Sequence, residues 1–434
     1  IMKVLIGVHH FPPVYRGGAE WRAHRLASAL QEAGHEASVI CVERIDDAQA
    51  APLAYADEVF EGVAVRRLSF DLGAAPDPLH WEYDNLWVGE HLRQVFDERK
   101  PDLFHLIGGY LLTGSALRAA QQAGLPTVVT LTDFWFLCRR FSMLRTDGAI
   151  STLPIDPLRC ARCLGEEKRR FRWLGKLAPG LMTHYWRQEG RNVNYFTQRR
   201  DDLTQLLAAT DLAIAPSRFL RDFYIQAGMT ARRMEFLRQG HKFGHLPRHT
   251  LIKTPAGRLR IGYLGQLAPL KGVHVLIDAV RSLPSLPVDL FLYGDSQLHS
   301  AYSAKLQSQA DGDERIHLMG QYERRQLTSI LCNLDVTVVP SLWYENSPNV
   351  ILEAFAHDTP VIAANFGGMA ELVEDESNGL HFAVGNASDL ARQLQRLVED
   401  STLLPRLTEG AVKTSTPTVA EEMTKILALY QSLL

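Results

Sequence analysis

The sequence predicts an α/β protein built from two doubly wound parallel-sheet domains. Short β-branched runs alternate with amphipathic helical patterns over most of the 434 residues, and such alternation is typical of parallel sheets covered by helices on both faces. The alternation stops at residues 242–258, which are rich in His, Pro, Lys and Gly, and then begins again. At roughly 100–200 residues per domain, a chain of this length is expected to form two or three domains. The break therefore predicts a linker between two domains.

The first domain is predicted to span residues 1–241. Its strands are expected in five buried runs: Lys3–Val8, Ala37–Val42, Asp102–Ile107, Thr127–Leu131 and Leu212–Pro216. An amphipathic stretch that Gly34 closes is typical of a helix between the first two of them. Residues 138–200 contain few strand patterns, and we expect a helical insertion there.

The second domain is predicted over residues 259–417. Its strands are expected at Leu259–Gly265, Val288–Tyr293, Arg315–Met319, Asp335–Pro340 and Pro360–Ala364. Residues 418–434 are amphipathic, which predicts a C-terminal helix that packs back on the first domain. Two such domains are expected to face a cleft at the carboxyl ends of both sheets, where ligands bind in open α/β folds.

The composition argues against several other classes of protein. Lys and Arg total 46 against 49 Asp and Glu, a net charge of -3, whereas nucleic-acid-binding proteins normally have a basic excess. No run of about 18 apolar residues occurs, so no membrane-spanning helix is expected. The apolar N-terminal run is too short for a signal peptide and predicts a first strand. Five cysteines do not form a disulfide framework, and the expected compartment is the cytoplasm.

The most informative segment is 343–355, Trp-Tyr-Glu-Asn-Ser-Pro-Asn-Val-Ile-Leu-Glu-Ala-Phe, which follows a predicted strand. Pro348 suits the first turn of a helix, so Glu345 is expected in the preceding loop and Glu353 within the helix. A surface loop followed by an ordinary helix start is the alternative for this segment.

The start of this predicted helix also offers main-chain donors. The N–H groups near Asn349, Val350 and Ile351 lack partners within a helix, because the first turn has no preceding carbonyls. Such donors at the positive end of a helix suit a diphosphate.

Together with its neighbours, this segment closely resembles glycosyltransferase family 4. Glu345, seven residues and Glu353 are followed by Gly367-Gly368-Met369-Ala370-Glu371 and by Asn378-Gly379-Leu380. Outside this region, Gly17-Gly18-Ala19-Glu20 resembles the family's glycine loop. Three more segments match loops of the family's second domain: Leu264-Gly265-Gln266, Lys271-Gly272 and Tyr293-Gly294-Asp295.

The resemblance implies a GT-B fold and a retaining, hexosyltransferase-type enzyme that uses a nucleotide-sugar donor. It implies that Glu353 accepts hydrogen bonds from the ribose, that Glu345 holds hydroxyls of the transferred sugar, and that Lys271 neutralises the diphosphate. Taken singly, each of these residues could equally be a capping carboxylate or a solvated lysine.

The remaining residues that the resemblance assigns to donor binding lie in glycine-containing loops. Gly18 would let main-chain N–H groups approach the phosphates, and Gly367 and Gly368 would leave room for the sugar. The other members of this donor-binding set are Gly17, Gly265, Gln266 and Gly294. Turn glycines are the alternative at each glycine position.

Two departures from the family pattern bear on the mechanism. Gln266 stands where the family usually has Arg, which leaves Lys271 as the cation of that loop. Thr132 stands where the family usually has a His that contacts the sugar. Asp133 or His105 could supply a polar contact instead, and a buried structural His105 is the alternative.

The cysteines of the insertion suggest a metal site. Phe134-Trp135-Phe136-Leu137-Cys138 and the later Cys160-Ala161-Arg162-Cys163 resemble a subgroup of the family. Cys160 and Cys163 would present two thiolates from one turn, and Cys138 would add a third. Thiolates are common ligands of structural zinc, but the fourth ligand that such a site needs is not identified. Free thiols are the alternative.

The expected partners follow from the resemblance and from one basic stretch. The donor would be a nucleotide sugar, and the acceptor a saccharide or a lipid-linked saccharide of cell-surface polysaccharide or glycolipid assembly, with no cofactor required for catalysis. The basic-aromatic residues 168–191 suit either anionic lipid at the inner membrane face or a solvated helical face. A non-catalytic nucleotide-sugar-binding subunit and a nucleotide-sugar epimerase of the same fold are the alternative functions.

Overall fold

The computed structural model describes most of the chain, in four ranges: residues 1–15, 17–50, 52–241 and 257–434. The chain divides into two compact units, the first of residues 1–238 with 420–434 and the second of residues 239–419. Of the predicted linker, residues 242–256 lie outside the described residues.

The strands alternate with helices along both units. Those of the first unit are β1 (Lys3–Val8), β2 (Glu36–Arg44), β3 (Leu53–Phe60), β4 (Val63–Phe70), β5 (Leu103–Ile107), β6 (Thr127–Thr130), β7 (Leu212–Ala215) and β8 (Arg233–Phe236). Those of the second unit are β9 (Leu259–Leu264), β10 (Val288–Tyr293), β11 (Ile316–Gly320), β12 (Val336–Val339), β13 (Val361–Ala364) and β14 (Gly379–Phe382).

Helices connect most of these strands. They are α1 (Gly18–Glu32), α2 (Pro78–Trp81), α3 (Leu86–Arg99), α4 (Thr113–Gln122), α5 (Pro157–Gly165), α6 (Arg169–Leu177), α7 (Pro179–Gln188), α8 (Gly190–Ala209), α9 (Arg218–Gln226), α10 (Val273–Arg281), α11 (Ser300–Ala310), α12 (Leu327–Cys332), α13 (Asn349–Ala356), α14 (Gly367–Leu372), α15 (Ala387–Glu399), α16 (Leu403–Lys413) and α17 (Val419–Gln431). None of the helices in the described residues is both long and apolar enough to cross a bilayer.

The sheet of the first unit has the order β3-β4-β2-β1-β5-β6-β7-β8. Its pairings are parallel except for the antiparallel pair of β3 and β4 at one edge. The chain reverses its direction of travel across the sheet between β1 and β5, which makes this boundary a topological switch point. The insertion between β6 and β7 is helical, as predicted, and consists of α5 to α8, so that it continues to Ala209.

The C-terminal helix α17 belongs to the first unit. Its Glu422 carboxylate lies 2.5 Å from the guanidinium of Arg22 on α1, and both side chains are buried. Its Tyr430 hydroxyl lies 2.5 Å from Nδ1 of His105 on β5. A buried ion pair therefore holds α17 against α1, and a buried hydrogen bond holds it against β5 of the first sheet.

The sheet of the second unit is parallel throughout, with the order β11-β10-β9-β12-β13-β14. This order reverses between β9 and β12 and is that of a Rossmann domain. The central strands are buried along their length and read as nearly continuous apolar runs, as expected for strands covered on both faces. The predicted α/β class with two doubly wound domains is confirmed.

The edge hairpin of β3 and β4 was not predicted from the sequence. Strand β4 carries Arg66 and Arg67 at adjacent positions, and β3 is largely exposed. The two arginines lie 2.7 Å from the carboxylates of Asp57 and Glu58 on β3. The apolar residues of β4 are buried, but the two arginines and their acidic partners on β3 interrupt the usual strand pattern of the sequence.

Candidate functional site

In the second unit, the loops that follow β9 and β12 are joined at the switch point of the sheet. The N–H of Leu342 donates to the carbonyl of Leu270 at 2.8 Å. Gly272 has φ +70°, and a Cβ there would lie 1.9 Å from the carbonyl oxygen of Pro340. Glycine is required for both reasons, since it adopts the left-handed conformation without strain and allows the close approach.

This junction brings Lys271 and Glu345 together. Nζ of Lys271 lies 2.6 Å from Oε1 of Glu345, and the same oxygen accepts hydrogen bonds from Ser341 Oγ at 2.8 Å and Trp343 Nε1 at 2.9 Å. Among the described residues no donor reaches Oε2 of Glu345. An ammonium has three donors, so Lys271 retains N–H groups for a ligand while the glutamate orients it.

The other predicted carboxylate, Glu353, lies on α13 and is 5% exposed. Its Oε1 is 3.0 Å from the guanidinium of Arg324, whose side chain is 60% exposed. Burial, together with the charge of Glu353, raises the pKa of Tyr322 to about 12. A buried carboxylate with an exposed arginine partner can accept hydrogen bonds from ligand hydroxyls after a small movement of that arginine.

The N-terminus of α13 provides two of the three predicted main-chain donors. The N–H groups of Asn349 and Val350 have no acceptor within the described part of the chain, whereas the N–H of Ile351 donates to Pro348 at 3.1 Å. The prediction for Ile351 is therefore corrected, because a tight first turn uses its N–H. Ser347 Oγ and Asn349 Oδ1 are buried there without a hydrogen-bond partner in the described residues, which indicates a polar ligand.

The glycines that begin α14 do not leave room for a sugar, and this prediction is corrected. A Cβ on Gly368 would lie 1.7 Å from the carbonyl oxygen of Asn346, and Gly367 has φ +59°. The N–H of Gly368 donates to the carbonyl of Glu345 at 2.7 Å. The chain's own backbone occupies this space, so the two glycines hold the loop of Glu345 in place.

Gly265 and Gly294 serve a similar packing role between neighbouring strand ends. A Cβ on Gly294 would lie 2.3 Å from the carbonyl oxygen of Gly265. Gln266 is exposed, and its main-chain carbonyl accepts a hydrogen bond from the Tyr263 hydroxyl at 2.7 Å. These contacts fix the course of the loop that leads to Lys271.

In the first unit, the switch point carries a histidine and a glutamate that the sequence analysis did not assign. His9 follows β1, and its Nε2 lies 3.3 Å from Oε1 of Glu20 in the first turn of α1. Although burial alone would raise the pKa of Glu20, the hydrogen bond and charge of His9 lower it below its usual value. The signal for His9 was its position, since a polar residue directly after a strand lies at the carboxyl edge of the sheet. The signal for Glu20 was an acidic residue in the first turn of the helix that follows.

The two glycines of this loop differ from each other. A Cβ on Gly17 would lie 2.4 Å from Oε2 of Glu20, whereas no atom lies within 4 Å of the corresponding position on Gly18. Gly17 therefore makes room for the Glu20 carboxylate. The space beside Gly18 is open, and its role in binding the donor stays a prediction.

The carboxylate of Asp133 is held by its own loop. It accepts hydrogen bonds from the N–H of Trp135 at 2.8 Å and from the hydroxyl of Thr132 at 3.2 Å. Burial raises the pKa of Asp133, and the Trp135 N–H and the charge of His9 partly offset this effect. Asp133 and His9 both follow strands at the carboxyl edge of the first sheet.

His105 is placed in the core, and its predicted contact to a sugar is corrected in favour of the structural alternative. The residue is 1% exposed. Its Nδ1 contacts the Tyr430 hydroxyl, and its Nε2 lies 2.8 Å from Thr130 Oγ1. Burial lowers the pKa of His105 to about 3. With both ring nitrogens engaged, the side chain has no atom left for a substrate.

Cys138, Cys160 and Cys163 line one cavity of about 30 Å³. In the described residues, however, no group of three or more His, Cys, Asp or Glu side chains is arranged to hold a metal ion. Burial raises the pKa of Cys138, and it raises that of Cys160 to about 12. The three thiols do not form a ligand set in this conformation, and the structural zinc remains a prediction.

Family models and known proteins match both units. The model described as "Glycosyl transferase 4-like domain" matches residues 17–240, and the model described as "Glycosyl transferases group 1" matches residues 258–400. The chain is 25% identical to glycogen synthase of Mycobacterium tuberculosis (strain ATCC 25618 / H37Rv), over 94% of this chain and 89% of that protein. It is 32% identical to the lipopolysaccharide core biosynthesis glycosyltransferase LpsE of Rhizobium meliloti (strain 1021), over 38% of this chain and 46% of that protein.

A solved structure agrees with this relationship. HepE of Anabaena in complex with UDP superimposes with a TM-score of 0.67 at 20% identity, over 99% of this chain and 100% of that chain. This likeness confirms the predicted GT-B class of fold. Because the first family model spans more than half of the sequence, the protein belongs to the glycosyl transferase 4-like domain family.

Proposed function

We propose that this glycosyltransferase moves a sugar from a nucleotide-diphosphate sugar to an acceptor hydroxyl with retention of anomeric configuration, in cell-surface polysaccharide or glycolipid assembly. The observation that carries the proposal is the Lys271–Glu345 pair beside the open N–H groups of α13. One similar protein is a lipopolysaccharide core biosynthesis glycosyltransferase, and the HepE structures contain UDP or UDP-glucose. These names support a nucleotide-sugar donor and a cell-surface product.

The diphosphate is assigned to Lys271 and to the N–H groups of Asn349 and Val350. Negative charge grows on the leaving phosphate as the bond to the sugar breaks, so donors fixed in advance stabilise the transition state more than the ground state. The contact with Glu345 supports this role because it fixes the lysine head group before the donor binds.

The two glutamates are assigned to different parts of the donor. Glu345 holds sugar hydroxyls through Oε2, the oxygen that no donor in the described residues reaches, and Glu353 accepts hydrogen bonds from the ribose. The cation and the N–H groups supply positive charge at the phosphates. We therefore propose that the reaction needs no divalent cation, and transfer that continues in excess EDTA is the expected result.

A thermal-shift panel of nucleoside diphosphates and their sugars tests the donor assignment. A ligand that binds only the folded protein stabilises it by about 2.7 kcal/mol at 100 times its Kd. The identified donor is then incubated with saccharide acceptors, and released nucleoside diphosphate is measured. Binding without release would favour the non-catalytic subunit. The anomeric coupling constant of the product by NMR tests retention.

Peripheral membrane contact through residues 168–191 is part of the proposal. The helices α6 and α7 expose Trp173, Leu177 and Leu181 at 64%, 64% and 74%. Exposed basic side chains accompany them: Arg170, Arg172, Lys176 and Arg187. Apolar side chains among cations suit a surface of anionic lipid.

Vesicle sedimentation tests this contact. The protein should sediment with vesicles of phosphatidylcholine and phosphatidylglycerol but not with phosphatidylcholine alone. Replacing Trp173, Leu177 and Leu181 by serine should abolish binding, while Leu298→Ser, at an equally exposed leucine of the second unit, should not. Equal sedimentation of both variants would contradict the assignment.

The subgroup resemblance carries the proposal of a structural zinc at Cys138, Cys160 and Cys163. Elemental analysis of protein purified without a histidine tag tests it. One equivalent of zinc that is lost in Cys160→Ser is the expected result, and a content far below one equivalent would leave the thiols free.

A further inference from the structure

The first unit contains a cavity of about 370 Å³ that no assignment above has used. It lies at the carboxyl edge of the sheet, since Phe70 ends β4, Tyr110 follows β5 and Trp135 follows β6. Its aromatic lining consists of Phe70, Trp81, Tyr110, Trp135, Phe141 and Tyr195. Aromatic faces of this kind pack against the C–H faces of sugar rings.

The position of the Trp135 ring depends on a glycine. A Cβ on Gly109 would lie 2.0 Å from the indole of Trp135. Trp135 is 3% exposed, whereas Tyr110 and Phe141 are 39% and 44% exposed. The indole therefore lies in the interior of the cavity wall, and the two more exposed rings lie nearer to solvent.

An arginine without a carboxylate partner lines the same cavity. Arg199 on α8 is 3% exposed, and its guanidinium donates to the carbonyls of Trp135 and, at 3.2 Å, Phe136. No carboxylate of the described residues lies within ion-pairing distance of it. The other two arginines of the cavity, Arg139 and Arg140, do have glutamate partners. A buried charge without a counter-charge is costly, which indicates that a ligand supplies one.

A second polar group points to the same ligand. Tyr195 precedes Arg199 by one helical turn on α8, which places both on one face of the helix. The Tyr195 hydroxyl is buried and has no hydrogen-bond partner in the described residues. Burial raises the pKa of Tyr195 to about 12. The phenol therefore stays protonated near neutral pH and can donate a hydrogen bond to a ligand.

We propose that this cavity binds the acceptor and that the acceptor is an anionic saccharide, with its ring against the aromatic wall and its carboxylate or phosphate at Arg199 and Tyr195. The inference rests on the proposed function, because the donor nucleotide is assigned to the second unit. A neutral saccharide would satisfy the aromatic wall but would leave the charge of Arg199 without compensation.

Calorimetry on the full chain tests the inference without requiring turnover. The probes are methyl β-glucuronide, glucose 6-phosphate, neutral methyl β-glucoside and inorganic phosphate. The glucuronide or the sugar phosphate should bind about tenfold or more tightly than the glucoside, the range expected for a hydrogen bond to a charged group. The first two probes distinguish a carboxylate from a phosphate.

Substitutions on α8 test whether Arg199 and Tyr195 cause the preference for anionic saccharides. Arg199→Gln and Tyr195→Phe should each reduce the difference between anionic and neutral probes. Arg200→Gln is the matched control, because Arg200 is the next residue of the helix, has a side chain that is 41% exposed and pairs with Asp201. Tyr195→Phe removes only a hydroxyl without a partner, so it should fold even if Arg199→Gln does not.

Three outcomes would overturn the inference: equal affinity for the glucuronide, the sugar phosphate and the glucoside, a preference that both variants retain, or inorganic phosphate binding as tightly as the sugar phosphate. Failure of the proposed function would look different. In that case no nucleotide sugar would bind or be hydrolysed, while the anionic saccharides would still bind at α8.

Discussion

The candidate donor site of the second unit and the aromatic cavity of the first unit differ in how their charges are balanced. In the second unit Lys271 is paired with Glu345 and Glu353 with Arg324, and glycines pack the loops tightly against each other. In the first unit a buried arginine faces an aromatic cavity without a carboxylate partner in the described residues. The second unit is therefore preorganised for the diphosphate, the part that all such donors share. The first unit depends on its ligand to balance the charge of Arg199.

The largest expected effect is on the rate of transfer, and it tests the preorganised site of the second unit. Lys271→Ala should lower the rate of transfer about 10²–10³-fold, as removal of one preorganised electrostatic donor does. Initial rates of nucleoside diphosphate release at saturating donor measure it. Gln266→Arg in that variant should recover part of the loss.

Lys413→Ala is the matched control, since Lys413 pairs with Glu409 on an exposed helix face. A near wild-type rate for Lys271→Ala would contradict the assignment of the diphosphate to this lysine.

The two glutamates of the second unit should differ in what they bind. Glu353→Ala should weaken binding of the nucleoside diphosphate by about 1.5–3 kcal/mol, since it removes a charged hydrogen-bond acceptor from the ribose. Glu345→Gln should leave that affinity nearly unchanged and lower sugar transfer. Calorimetry with nucleotide and with nucleotide sugar measures both. Equal losses for the two ligands in Glu345→Gln, or an unchanged nucleotide affinity in Glu353→Ala, would show that the roles are misassigned.

Glycine substitutions compare a packed glycine of the second unit with an open glycine of the first. Gly368→Ala should lower the free energy of unfolding by about 1–3 kcal/mol, the range for overpacking, because its Cβ would overlap the Asn346 carbonyl. Gly18→Ala should change it by less than about 0.5 kcal/mol, since the space there is open. Urea unfolding of the full chain measures both, and similar midpoints for the two variants would contradict the packing role of Gly368.

The last expected effect depends on pH and concerns the core of the first unit. His105 has a pKa near 3 in the folded protein against 6.5 in the unfolded chain, so the unfolded state binds the extra proton between these values. Acidification through that window should therefore destabilise the protein by up to about 1.4 kcal/mol per pH unit. Melting curves between pH 7 and pH 4.5 should show a shallower dependence for His105→Gln. The variant His184→Gln, at an exposed position, should retain the wild-type slope.

Most of the strands could be predicted from the local pattern of apolar residues in the sequence. The bounds of β1 and β10 were predicted as they occur, and the other predicted strands differ by a residue or two at their ends. The hairpin of β3 and β4 was missed because Arg66 and Arg67 look unlike buried strand residues until Asp57 and Glu58 are opposite them. Periodicity reports burial of apolar faces, and it carries no information about pairs of charges.

Part of the candidate site could also be predicted from the sequence, and part of it could not. The segment with Glu345 and Glu353 was recognisable because both glutamates lie within one strand-loop-helix unit. By itself the sequence determined the α/β class and this motif, since each depends on residues close together in the chain. Only the tertiary structure decided that Lys271 meets Glu345, 74 residues away, that His105 is enclosed by α17, and that Arg199 lines an aromatic cavity without a counter-charge. Contact, burial and charge balance depend on which distant segments pack together, and no local pattern encodes that.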